Sequence, residues 1–142
     1  MLPLNILSAE EAKKIKGPII ITSEKLTADN QNYSALFENS VIAKASDITI
    51  YADRMRVYYH KDTGAVTKID AEGRVKLIKN ERVITSRKAT YYAEEEKVVF
   101  TGEPQAVEGE NVVNGKKMVY FLIEERFLVE GSKVFLKNEK QQ

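Results

Sequence analysis

Four times along this chain a small residue stands at the same place in a run of alternating apolar and polar side chains: Ser23, Ala52, Ser86 and Gly115. The separations are 29, 34 and 29 residues, and a second landmark (Asn39, Gly73, Gly102, Gly131) follows each by 16, 21, 16 and 16. Repetition at such a period marks a chain of stacked supersecondary units, none of which buries its apolar face alone. The second unit's extra residues fall around Asp62-Thr63-Gly64, where a longer turn between strands leaves pairing intact.

Within each unit β-branched and aromatic residues keep a period of two, which predicts strands throughout and an all-β domain. At the small residue the period breaks: apolar positions resume three residues later instead of two, as in Ile50, Ala52, Met55, Val57 and in Val113, Gly115, Met118, Tyr120. An extra residue in a strand is a bulge, which bends the strand while keeping both halves turned to one interior. Four stacked bends predict a folded trough. Its return strands add Ala35 and Phe37, Ile69 and Ala71, Val98 and Phe100, and Phe127 and Val129 as an opposing wall. Beyond the second landmark the inward register stays open, with either Lys133 or Val134 facing in.

With 142 residues the chain can bury about two-thirds of the surface its unfolded form exposes, so it needs no disulfide or metal. Ser8-Ala9-Glu10-Glu11 has a capping-box pattern and Gly17-Pro18 a stop, which predicts a short amino-terminal helix over residues 9–16. The domain division is a 1–18 segment carrying that helix and a 19–142 β domain. A net charge of +1 argues against nucleic acid as a partner. The single histidine, His60, lies beside a turn, and Glu94-Glu95-Glu96 reads as a charged turn, so no catalytic residue, metal site or cofactor is assigned.

The position two residues after each small residue is basic: Lys25, Arg54, Lys88 and Lys117, on the outside of the bend. These are either a solvated ridge that blunts unwanted strand pairing or a ladder reading the phosphates of a headgroup. Glu24, Asp53 and Glu94 to Glu96 are their expected counter-ions.

Ile50-x-Ala52-Asp53-Arg54-Met55-x-Val57-Tyr58, Phe100-Thr101-Gly102 and the repeated small-x-basic pattern resemble the LptA/OstA-like lipopolysaccharide transport family, over residues 19–136. Related domains occur in LptC and in the amino-terminal part of LptD. The resemblance implies an OstA-like β-jelly roll, V-shaped in section and built of antiparallel repeats. It also implies a periplasmic protein, its export signal removed, that carries lipopolysaccharide from inner to outer membrane. The lipid A acyl chains would lie in a trough lined by Ile21, Leu26, Ile50, Met55, Val57, Ile84, Tyr91, Met118 and Tyr120, with Phe37, Phe100 and Val129 opposite. Edge-strand pairing with LptC-like and LptD-like domains, and a head-to-tail homo-oligomer, would complete a bridge. The competing reading is a structural β-repeat module that forms filaments through its edge strands without lipid. The interior discriminates, since large and small residues on the walls either interdigitate into a dry core or leave a channel.

Overall fold

The computed structural model describes residues 17–137, which form one antiparallel sheet of twelve strands. The helix expected over 9–16 lies outside the described residues. The strands are β1 (Ile20–Thr22), β2 (Lys25–Asp29), β3 (Ser34–Ala45), β4 (Ile48–Tyr59), β5 (Val66–Lys79), β6 (Arg82–Tyr92), β7 (Lys97–Thr101), β8 (Gln105–Glu108), β9 (Asn111–Asn114), β10 (Lys117–Phe121), β11 (Arg126–Glu130) and β12 (Lys133–Phe135). The long strands β3 to β6 run through the bend unbroken. Towards either end of the sheet the bend divides each pass in two: β1 from β2, β7 from β8, β9 from β10, and β11 from β12.

The bend line thus crosses every pass and separates two walls. One holds β1, β8, β9, β12 and the adjoining halves of β3 to β6, and the other holds β2, β7, β10, β11 and the remaining halves. This corrects the assignment of walls made from the sequence. Phe37 pairs with Met55, and Phe100 and Val129 both pair with Met118, so these three lie on the same wall as Met55, Val57, Tyr91 and Tyr120. The opposite wall carries Ile21, Ile50 and Ile84. The reason is hydrogen bonding: consecutive antiparallel strands are neighbours in one sheet, so only the bend can place side chains across from each other.

The bend has a repeated construction. Glu38 faces Arg54 and Val41 faces Ala52, so Asn39 and Ser40 lie against Asp53 alone. Gly73 and Arg74 lie against Asp53 on one side and Arg87 on the other in the same two-to-one fashion. Both returning residues are left-handed: φ is 70° and 53° at Asn39 and Ser40, 82° and 47° at Gly73 and Arg74, and 80° and 55° at Gly102 and Glu103. The bulge residue's N–H donates to the landmark carbonyl, at 3.0 Å for both Glu24 to Asn39 and Arg87 to Gly102. The hydroxyls of Ser23 and Ser86 donate to the carbonyls of Lys25 and Lys88, each at 2.9 Å, bridging the bulge. The small residue is also sterically required at Gly115, where a Cβ would come within 2.6 Å of Val129 Cγ1.

Gly102 and Gly109 allow a clean test of the bend. Both have positive φ, but a Cβ on Gly102 would sit 2.6 Å from the Arg87 Cβ, whereas one on Gly109 meets nothing within 4 Å. Gly109→Ala is expected to cost about 1–2 kcal/mol from backbone strain alone. Gly102→Ala adds a collision near the backbone, so a clearly larger loss is expected in urea unfolding; equal losses would mean that the bend tolerates a side chain there.

The last unit departs from the others. Glu130 pairs with Lys117 and Lys133 with Asn114, two residues against two, so the register does not slip as it does in the other returning strands. Val134 therefore pairs with inward-facing Val113, and Lys133 faces out. Between the walls, Val41, Met55, Val75, Leu77, Ile84, Val98, Phe100, Met118 and Tyr120 are all but sealed from solvent. Full burial of such a side chain contributes about 1.5–3 kcal/mol.

Candidate functional site

Register carries apolar side chains across the whole inner face. On one wall the row runs Ile21, Ala43, Ile50, Leu77, Ile84, Ala106, Val113, Val134. On the other it runs Leu26, Phe37, Met55, Ala71, Ala89, Phe100, Met118, Val129. A third row, one pair nearer the mouth, runs Ala28, Ala35, Val57, Ile69, Tyr91, Val98, Tyr120, Phe127. Every residue expected in the trough thus belongs to an inward row. Met55, Val57, Ile84, Phe100, Met118 and Tyr120 are buried in one cluster, with Ile21, Phe37, Ile50, Tyr91 and Val129 half-buried against it. Leu26 belongs to the same row but is 56% exposed, because β2 is an edge strand.

The walls meet closely but not completely. A cavity of about 50 Å³ remains, lined by Ile19, Ala43, Ala45, Ile48, Ile50, Met55, Ile69, Ala71, Ala89, Tyr91, Val98 and Leu122. Two alanines on each wall, Ala43 and Ala45 on one and Ala71 and Ala89 on the other, leave the space that Met55 and Tyr91 only partly fill. That volume exceeds what one water needs, but its lining gives a water no polar partners. At the mouth the Tyr91 hydroxyl donates to the Glu96 carboxylate at 3.1 Å. Burial, with that carboxylate beside it, pushes the phenol's pKa upwards, so it stays neutral.

The sequence reading missed two groups at the site. The first is the set of inward residues beyond the landmarks, Val41, Ala43, Val75, Leu77 and Ala106. Plain alternation continued through Asn39, Gly73 and Gly102 finds them, because the two left-handed residues preserve parity. The second is Lys79 and Arg82, which register places in the row of buried Ile48, facing in at the rim.

The basic ladder lies on the outer face, where register interleaves it with acids: Lys25, Glu38, Arg54, Glu72, Lys88, Thr101, Lys117, Glu130. Glu72 pairs with Arg54 at 2.5 Å and Lys88 at 3.6 Å, and Glu130 with Lys117 at 4.0 Å. This corrects the expected counter-ions. Asp53 binds Arg74 at 2.6 Å, Glu95 binds Lys97 at 2.9 Å, and Glu24 accepts from Ser40. Cross-strand neighbours on one face lie closer than residues adjacent along the chain, whose side chains diverge.

These pairs set an acid limit. The hydrogen bond and charge of Arg54 hold the Glu72 carboxyl below its ordinary value, and Arg74 does the same for Asp53. A carboxyl depressed in the folded state stabilises it above the unfolded pKa, and that contribution is lost as pH falls. Urea midpoints should stay level from neutral pH down to the ordinary carboxylate value of Glu72, 4.5, and decline below it. The decline should be shallow, because both carboxylates are solvent-screened.

A family model described as "LptA/(LptD N-terminal domain) LPS transport protein" matches residues 20–126. No curated protein matches the chain. Among solved structures, the crystal structure of LptH, titled as the LptA homologous periplasmic component of the conserved lipopolysaccharide transport device from Pseudomonas aeruginosa, superposes with a TM-score of 0.78. Identity is 10%, with 89% of this chain and 99% of that chain covered, so the likeness is one of fold.

Proposed function

Because the chain belongs to the LptA/LptD amino-terminal-domain family of lipopolysaccharide transport proteins, we propose that it carries lipopolysaccharide across the periplasm with the acyl chains between its two apolar walls. The observation that carries this reading is the unbroken apolar inner face, which runs from Ile21 and Leu26 at one sheet edge to Val134 and Val129 at the other. Each acyl methylene taken from water contributes about 0.8 kcal/mol, and no covalent chemistry is needed. The cavity is far smaller than an acyl chain, so uptake requires the walls to part about the bend.

Among the described residues both ends of the sheet are open: β1 and β2 pair only with β3, β11 only with β10, and β12 only with β9. Exposed apolar side chains gather there: Ile20 and Leu26 at one end, Leu128, Val134, Phe135 and Leu136 at the other. Head-to-tail addition of a second copy, or of LptC-like and LptD-like domains, would satisfy the free backbone groups and extend one trough.

The close-packed interior favours the second reading, a filament module with a dry core. Purified lipid A separates them. A carrier is stabilised by RT ln(1 + [L]/Kd), about 2.7 kcal/mol at a hundredfold excess over Kd, seen as a rise of several degrees in the unfolding midpoint. An unchanged midpoint, with assembly intact, would leave the filament.

A further inference from the structure

Two cations face the interior at the rim. Lys79 and Arg82 flank the Asn80-Glu81 turn, and their row also holds buried Ile48. The Lys79 side chain is 11% exposed, and its ammonium reaches across the mouth to Glu125 in the β10–β11 turn at 3.2 Å. Arg82 lies 5.5 Å from the Tyr120 ring and 5.3 Å from that of Phe127, both on the opposite wall. Its guanidinium also holds Glu108, with the 3.0 and 2.9 Å contacts both on one carboxylate oxygen. A polar cleft of about 550 Å³ opens here, with Glu81 as its third acid.

Burial opposes the Lys79 charge most strongly of any single influence, but the Glu125 hydrogen bond, together with the charges of Tyr120, Glu125 and Asp47, outweighs it and raises the pKa. Glu125 and Glu108 are themselves largely exposed and sit at turns, so each can return to water at little cost. Arg82, stacked on two rings, keeps its fork aimed at the cleft when its carboxylate leaves.

We propose that Lys79 and Arg82 bind the phosphates of the lipid headgroup at the mouth of the trough, and that Glu125 and Glu108 occupy the phosphate positions while the mouth is shut. The exchange couples recognition to opening: a phosphate that takes Lys79 from Glu125 releases the ion pair joining the walls. This rests on the carrier reading and adds the part of the lipid that is recognised and where.

The test compares Lys79→Gln with Glu125→Gln, which break the same ion pair from opposite sides. Binding is measured with diphosphoryl lipid A, the same lipid after phosphate removal, and inorganic pyrophosphate as competitor. Lys79→Gln is expected to weaken binding of the phosphorylated lipid about tenfold or more and to leave the dephosphorylated lipid unchanged. Glu125→Gln, which frees the cation, should tighten binding of the phosphorylated lipid. A structural strap would give both variants the same shift for both lipids and would overturn the proposal. So would wild-type protein that binds the two lipids equally. Pyrophosphate binding at Lys79 without any lipid phosphate preference would overturn the headgroup assignment in favour of a free-anion site. Failure of wild type to bind either lipid would instead overturn the carrier reading, and this proposal with it.

Discussion

Truncating Phe100 to alanine is expected to cost about 3–5 kcal/mol, a large share of the roughly 5–15 kcal/mol that holds a domain folded. Phe100 is fully sealed and pairs in register with Ala89 and Met118. Ala89 beside it cannot expand to refill the space. Its neighbour Val99 points to the outer face and is half-buried, so Val99→Ala should cost about 1 kcal/mol or less. Urea unfolding checks both through the shift in midpoint at constant slope. Similar costs at the two positions would mean that the inward parity assigned here does not organise the core.

A second large effect is expected at Ile50, which lines the cavity. In Ile50→Asp a carboxylate meets an apolar wall with no partner, and an uncompensated polar group there costs several kcal/mol or titrates to its neutral form. Lipid A binding should fall a hundredfold or more at neutral pH, about 2.7 kcal/mol of lost affinity. Burial raises the pKa of the new acid, so binding should partly return as pH falls and the carboxyl is protonated. Tyr51, the next residue, faces out, and Tyr51→Asp should leave binding within a few-fold. Equal losses at Ile50 and Tyr51 would show that the lipid does not use this interior.

Much of this was legible because a bulge leaves a trace that composition does not. The three-residue step from Ala52 to Met55 and from Gly115 to Met118 marked both the bend and the side of each strand that turns inward. The small landmarks were legible for a physical reason as well, since Gly115 has Val129 pressed against it. Which residues oppose one another was not legible. Phe37 and Met55 share a wall because β3 and β4 are hydrogen-bonded neighbours, whereas alternation alone reports parity and not pairing. The position of Val134 escaped for a related reason: β11 and β12 pass the bend two residues against two, and only the partner strand reveals that. Counter-ions chosen by chain proximity failed because Arg54 finds Glu72, 18 residues away, across the sheet. Lys79 and Arg82 carried no signal in the sequence, and only their pairing in the row of Ile48 turns them inward.

If lipid lies between the walls, two consecutive tyrosines of β6 will report it differently. Tyr91 lines the cavity, while Tyr92 faces out beneath Lys97, 5.5 Å from its ring. A benzophenone side chain of similar shape, placed at each in turn, should crosslink purified lipopolysaccharide at position 91 and not at position 92. Equal labelling at the two positions, or none at 91 in folded protein, would contradict a lipid-filled interior.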